Sequence, residues 1–119
     1  MNKALTVACA TALFATLLTA SASKASAHAP CGAKASDIDG SPYPTATFDA
    51  VNIRTGSSTG CTSVGLLLKG QKADYYCYTI QHTGDNYSWT FLRNVATGKT
   101  GWVRSDLLPD YGSHVYCGF

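Results

Sequence analysis

The sequence predicts an all-β domain in which five short strands close into a small barrel. From Ala50 onward the chain is rich in Val, Ile, Thr, Tyr, Phe and Trp, the residues that favour strands. Turn residues interrupt this stretch about every ten positions, as expected for short strands joined by tight connections. No window after Ala27 has the periodicity and length of a helix. A barrel suits such strands because closure removes exposed strand edges.

Each strand is bounded by residues that favour turns. The first alternates apolar and polar side chains, which is typical of a half-buried strand. The predicted strands span residues 50–54, 64–68, 73–80, 87–93 and 100–104. The turns between them fall at residues 55–60, 69–71, 82–86 and 96–99, and a short 3₁₀ turn is predicted at residues 105–108. Trp102 lies between Gly101 and Val103 in the last strand and is expected to be buried.

The first 27 residues have the pattern of a secretory signal peptide. Lys3 gives a charged start, residues 4–20 are almost entirely apolar, and small residues end at Ala25-Ser26-Ala27. We expect cleavage after Ala27, since a later cut would fall beside Pro30. The apolar run is shorter than the ~20 residues that cross a bilayer. The protein is therefore expected to be secreted, extracellular or associated with the cell wall, without a membrane partner.

We expect residues 28–49 to form an irregular N-terminal arm, because they contain several Pro and Gly and few large apolar side chains. Four cysteines follow the expected cleavage point, namely Cys31, Cys61, Cys77 and Cys117. In a small exported domain an even number of cysteines indicates disulfides, each worth ~2–4 kcal/mol. Spacing alone leaves three pairings open.

The expected mature chain carries no net charge. The sequence has 9 Lys and Arg against 7 acidic residues, all of them Asp, and the predicted signal peptide removes Lys3 and Lys24. This balance argues against nucleic acid and against an anionic membrane surface as partners. The remaining length fits one domain, which we expect to be a monomer.

Motifs follow one another in a fixed order along the predicted strands. They are Val51-Asn52-Ile53-Arg54-Thr55-Gly56, Val64-Gly65 followed by Leu68-Lys69-Gly70, Trp89 near the start of a strand, and Gly98-Lys99-Thr100-Gly101-Trp102-Val103. Their order and spacing over residues 51–108 resemble the bacterial SH3 domain, whose fold is a small five-stranded barrel. The chain departs from that family at Ser57, where proline is usual, and in its cysteines.

The resemblance implies a domain plan and a cysteine pairing. It places the SH3-like barrel at residues 50–108 and a C-terminal tail at residues 109–119. Similar cysteine-bearing members imply the pairs Cys31–Cys61 and Cys77–Cys117, which would pin the arm and the tail to the barrel. The tail would then fold back over the barrel and cover part of the groove that ligand-binding members use.

The same resemblance implies a ligand-binding groove, and the aromatic residues suggest its position. Tyr76 and Tyr78 alternate with Tyr75 and Cys77, so the two pairs are expected on opposite faces of their strand. With Tyr75 and Cys77 turned inward, the other two tyrosines would face outward, beside the loop at residues 55–61. The predicted ligand-binding residues are Asn52, Arg54, Tyr76, Tyr78 and Trp89. Asn52 and Arg54 could equally satisfy loop carbonyls.

Other chemistries have weaker support. A cysteine nucleophile would need a thiolate and a base such as His82 or His114, but all four cysteines are expected to be oxidised. The segment Asp37-Ile38-Asp39-Gly40 begins like a calcium loop, but the later Glu is missing, so a turn is predicted. A new amino terminus at His28 could chelate copper with His82 or His114. We predict no catalytic residue and no cofactor, and copper is the weakest alternative.

The sequence therefore predicts a secreted, non-catalytic binding module. The resemblance implies peptidoglycan or its cross-bridge peptides as the ligand. The alternative is a secreted protein–protein interaction module, such as an inhibitor or effector, which a neutral and disulfide-rigid domain suits equally well.

Overall fold

The computed structural model describes residues 28–80 and 87–119. These residues form one antiparallel sheet of five strands and two short 3₁₀ turns, at Ser105–Leu107 and Pro109–Tyr111. The strands are β1 (Ala50–Arg54), β2 (Ser63–Leu68), β3 (Ala73–Ile80), β4 (Ser88–Asn94) and β5 (Thr100–Arg104). The predicted signal peptide, and the predicted turn that contains His82, lie outside the described residues.

The predicted all-β fold is confirmed, and every strand begins and ends within about one residue of its expected position. The strand order is β2-β1-β5-β4-β3, so β2 and β3 stand at the two ends of the sheet. The Asn94 side-chain amide donates to the Leu66 carbonyl at 3.1 Å and thereby links β4 to β2. Closure into a barrel is not established by the strand pairing and stays a prediction.

Alternation along the strands builds an inner core on one face of the sheet. Val51 and Ile53 are buried, whereas Asn52 between them points to the other face and is exposed. The inner core consists of Ala46, Val51, Ile53, Leu67, Ala73, Tyr75, Leu92, Val103 and Leu108. All five strands contribute to it, and each large apolar side chain buried there stabilises the fold by ~1.5–3 kcal/mol.

A bulge in β3 changes which face its side chains occupy. Tyr75 pairs with Leu92, but Cys77 pairs with Phe91, so Tyr76 is an extra residue on this strand. Tyr75 consequently lies in the inner core, while Cys77 lies on the opposite face of the sheet. The expectation that Tyr75 and Cys77 share a face is therefore wrong, because simple alternation does not hold across a bulge.

A second, outer core lies on that opposite face, beneath the N-terminal arm. It consists of Ala29, Cys77, Trp89, Phe91 and Trp102, with Ala33, Ala35, Tyr76 and Cys117 packed against it. Trp102 is buried as predicted, and its indole Nε1 donates to the Ala33 carbonyl at 2.9 Å. The arm is thus a structural layer that seals the outer face of β3, β4 and β5.

Both disulfides implied by the resemblance are confirmed. Cys31–Cys61 joins the arm to the loop between β1 and β2, and Cys77–Cys117 joins β3 to the C-terminal tail. The arm and the tail are therefore both pinned to the sheet. Disulfides of this kind are typical of proteins in oxidising, extracellular surroundings.

Two glycines of the motifs permit close backbone approaches. A Cβ at Gly56 would lie 2.7 Å from the Pro30 carbonyl carbon, where the arm crosses the loop after β1. A Cβ at Gly101 would lie 2.6 Å from both the Arg54 carbonyl oxygen and the Ile53 side chain, where β5 crosses β1. Since real Cβ atoms do not approach other atoms so closely, a side chain at either position would force the backbones apart.

We expect Gly101→Ala to destabilise the protein by about 1–3 kcal/mol, because its methyl group would overpack the contact between β5 and β1. Urea denaturation at neutral pH measures this difference. Gly40→Ala is the matched control, since a Cβ there would meet nothing within 4 Å. Equal stability of the two variants would contradict the described packing of β5 against β1.

Candidate functional site

Trp89 does not lie at the predicted ligand-binding surface. Its side chain is 1% exposed and belongs to the outer core. Along β4, Trp89 and Phe91 point to the same face, and that face is covered by the arm. Trp89 is therefore not accessible at the surface, because the arm covers what would be the outer surface of an isolated sheet.

Asn52 and Arg54 lie on β1 and differ in exposure. Asn52 is exposed and pairs with Leu66 on β2. The Arg54 guanidinium donates through Nη1 to the Cys61 carbonyl at 3.1 Å and so fixes the loop between β1 and β2. This contact corresponds to the structural role that the sequence left open for Arg54.

Tyr76 and Tyr78 lie on different faces of β3 because of the bulge. The Tyr76 ring packs against Phe91 with its centroid 5.4 Å away, in the outer core. Tyr78 pairs with Thr90, and its ring lies 5.5 Å from that of Tyr116 in the tail. Since β5 and β4 lie between β1 and β3 in the sheet, Asn52 and Arg54 lie on a different part of the sheet from Tyr76 and Tyr78.

The C-terminal tail occupies the edge of β3. The Tyr78 amide donates to the Val115 carbonyl at 2.8 Å, and the Cys117 amide donates to the Tyr78 carbonyl at 2.9 Å. These bonds place Tyr116 beside Tyr78 in a parallel bridge. The tail thus covers part of this strand.

A cleft opens where the arm meets the tail. It has a volume of about 220 Å³, and we call it the arm–tail cleft. Its lining residues are Asp39, Ser41, Pro42, Pro44, Tyr75, Asp110, Gly112, His114 and Val115. Asp110 and His114 are exposed at this cleft, and the His114 Nε2 donates to the Asp110 carbonyl at 2.8 Å.

Asp39 joins the two walls of the arm–tail cleft. It is 7% exposed, and it accepts hydrogen bonds from the Ser113 hydroxyl at 2.6 Å and from the Ser41 amide at 2.9 Å. Desolvation by burial raises the pKa of Asp39, but these hydrogen bonds outweigh burial, so its net pKa lies below the usual value. The bond to the Ser41 amide also agrees with the predicted turn in this segment.

Tyr75 fixes the start of the tail from beneath the cleft. Its hydroxyl donates to the Pro109 carbonyl at 2.8 Å. Burial raises the pKa of Tyr75 well above its usual value, and the charges of Asp110 and Asp39 raise it further. The hydroxyl therefore keeps its proton and remains a hydrogen-bond donor at any physiological pH.

The tail turns sharply through a run of left-handed residues. Asp110 has φ 57°, Tyr111 has φ 56° and Gly112 has φ 71°. A Cβ at Gly112 would collide with the Thr90 hydroxyl, so glycine is required at this point. The turn leaves Tyr111 49% exposed.

A second depression adjoins the arm–tail cleft on the other side of His114. It has a volume of about 290 Å³, and its described lining residues are Tyr78, Ser88, Tyr111, Ser113 and His114. We call it the aromatic hollow. Of its described residues only Tyr78 was among the predicted site residues, and the Pro-Asp-Tyr-Gly turn at residues 109–112 was the available sequence signal for Tyr111.

Metal ligands do not cluster in the described parts of the chain. Within residues 28–80 and 87–119, no group of three or more His, Cys, Asp or Glu side chains is arranged to hold a metal ion. His28 forms a β-bridge with Ile80, whereas His114 lies in the tail. His82, the other histidine of the copper alternative, lies outside the described residues.

Comparisons with known proteins identify no relative of this chain. No family model matches it, and neither a curated protein nor a solved structure is significantly similar. No helix in the described residues has the length and apolar character needed to cross a bilayer.

We expect Asp39→Asn to lower the free energy of unfolding by about 1–3 kcal/mol at pH 7, since it weakens charge-assisted hydrogen bonds between arm and tail. A carboxyl group with a lowered pKa stabilises the fold above its unfolded-state pKa of about 4. That contribution disappears as the pH falls through the lower folded-state pKa. The stability difference between the wild type and this variant should therefore shrink in acid.

Urea denaturation at pH 7 and at about pH 2.5 measures this difference, with the pH values chosen on either side of the usual aspartate pKa. Asp49→Asn serves as the control because Asp49 is exposed and lies outside the cleft. A difference that stays constant between the two pH values would contradict the assigned role of the Asp39 carboxylate.

Proposed function

We propose that this protein is a non-catalytic binding module that acts outside the cell, with peptidoglycan or its peptides as the ligand. The observation that carries the proposal is the arm–tail cleft, which is formed by two disulfide-pinned segments. The resemblance of residues 51–108 to bacterial SH3 domains supports the class of ligand. We assign the ligand to this cleft, and not to the groove that was expected beside Tyr76 and Tyr78.

The cleft is held open before any ligand arrives. The Asp39–Ser113 and Tyr75–Pro109 hydrogen bonds join its walls, and the Cys77–Cys117 disulfide anchors the tail. Binding to a preformed site avoids the entropy cost of ordering loops. This rigidity supports a role in recognition.

The lining of the cleft suits a peptide. Pro42 and Pro44 give it apolar walls, and the exposed carboxylate of Asp110 can accept a hydrogen bond from an amide or an ammonium group. The stem and cross-bridge peptides of peptidoglycan present both groups. An extended peptide could therefore pair its polar groups with Asp110 while its backbone passes between the prolines.

The oxidised cysteines favour binding over thiol chemistry. Cys31, Cys61, Cys77 and Cys117 are all engaged in disulfides, so none of them provides the thiolate that a cysteine nucleophile requires.

An exposed apolar stripe on β2 supports a second candidate function. Val64, Leu66 and Leu68 of β2 are exposed apolar residues, with Leu66 47% exposed, and they lie on one face of an end strand. Such an apolar stripe is typical of a protein–protein contact. This observation favours an inhibitor or effector that docks through β2.

Co-sedimentation of the oxidised protein with purified peptidoglycan tests the main proposal. We expect saturable binding that Asp110→Asn weakens about tenfold, as expected for the loss of one charge-assisted hydrogen bond. Asparagine tolerates the left-handed backbone at this position. Asp49→Asn, which removes an exposed carboxylate elsewhere, is the matched control and should bind like the wild type.

Absence of wild-type binding at every wall concentration would overturn the proposal. In that case, affinity capture with the wild type and with Leu66→Ser tests the second candidate function. Loss of a captured protein in Leu66→Ser would support docking through β2, and equal capture by both proteins would contradict it.

A further inference from the structure

The aromatic hollow lies at one end of the sheet, where the tail meets β3 and β4. Tyr78 pairs with Thr90 and Ile80 pairs with Ser88, which places Tyr78 and Ser88 on the face that Thr90 occupies. The Ser113 amide donates to the Thr90 hydroxyl at 3.0 Å, so the tail is fixed to that same face. Strands thus provide one wall of the hollow, and the tail provides the other.

The polar groups of the hollow are partly unused. Within the described part of the chain, the hydroxyls of Ser88 and Tyr111 have no hydrogen-bond partner. The His114 ring uses Nε2 for the Asp110 carbonyl, which leaves Nδ1 for a hydrogen bond to a ligand. These groups can hydrogen-bond a ligand without breaking a bond that holds the fold.

The lining distinguishes this hollow from the neighbouring cleft. Its described residues are tyrosine, serine and histidine, whereas the arm–tail cleft contains the carboxylates of Asp39 and Asp110. Flat aromatic rings with hydroxyl groups between them suit a neutral ligand that has both apolar faces and polar edges. A volume of about 290 Å³ is large enough to hold one ring of such a ligand.

Backbone strain at the hollow maintains the position of its exposed ring. Asp110 and Tyr111 both adopt left-handed conformations, and the conformation at Tyr111 is strained because only glycine, asparagine and aspartate adopt it readily. Surrounding contacts must hold such a conformation, and residues held in this way concentrate at binding sites. Here the turn brings Tyr111 to the rim of the hollow with half of its surface exposed.

We propose that the aromatic hollow binds one sugar unit of a glycan. The apolar face of the sugar ring packs against Tyr111, and its hydroxyl or acetamido groups hydrogen-bond Ser88 and the Nδ1 atom of His114. The inference rests on the proposed function, since it assigns the glycan strand to this hollow and the attached peptide to the arm–tail cleft. His114 lines both depressions and so places the two parts of the ligand side by side.

Isothermal titration of the oxidised protein with an N-acetylglucosamine tetramer tests the assignment. We expect wild-type binding that Tyr111→Asn weakens about tenfold, because the substitution removes the stacking surface. Asparagine is chosen because it adopts the left-handed conformation. Phe48→Asn removes an exposed aromatic ring outside the hollow and should leave binding unchanged.

A second variant keeps the test independent of the strained turn. Ser88→Ala removes one hydroxyl from the strand wall and should weaken binding of the tetramer a few-fold. Failure of the wild type to bind the tetramer would overturn the inference, as would unchanged binding in both Tyr111→Asn and Ser88→Ala. Displacement of the tetramer from the hollow by a sugar-free stem peptide would overturn it too.

Co-sedimentation with peptidoglycan distinguishes failure of the sugar site from failure of the proposed function. Retained binding to peptidoglycan without tetramer binding would refute the sugar site and leave the wall module standing. Tetramer binding that Tyr111→Asn weakens, in a protein that does not bind whole peptidoglycan, would support the sugar site and refute the wall module.

Discussion

The fold depends on the contact between Trp102 and the N-terminal arm. A single sheet has two faces, and a domain this small must cover both with few residues. Here one face encloses the inner core, and the other is sealed by the arm, whose Ala33 carbonyl accepts the indole hydrogen bond of Trp102. The Cys31–Cys61 disulfide and the close crossing at Gly56 both serve to hold the arm in that position.

Much of this fold could be predicted from local patterns. Strand positions follow from alternation, β-branched and aromatic residues and turn signals, and two motif glycines, Gly56 and Gly101, mark close approaches of the backbone. The bulge at Tyr76 could not be predicted, because tyrosines lie on both sides of it and hide the one-residue shift in the alternation. The burial of Trp89 could not be predicted from local pattern either, since the arm that covers it is distant in the sequence.

The candidate site was less predictable than the fold. Asp39 and Ser113 are 74 positions apart in the chain, and the segment that contains Asp39 predicted only a turn. Their hydrogen bond exists because the arm and the tail are pinned separately to the same sheet. A site made by two irregular segments leaves no regular spacing in the sequence, whereas a site on one strand would leave a period of two residues.

The hydrogen bonds between the tail and β3 affect whether copies of the protein can associate through the edge of this strand. An unpaired end strand offers a template on which a second chain can add its own strand, and such additions lead to aggregates. Residues 115–117 already occupy part of that template, and a covalent bond prevents them from leaving. The tail therefore blocks edge-to-edge pairing at this part of β3, and the Cys77–Cys117 disulfide keeps it in place.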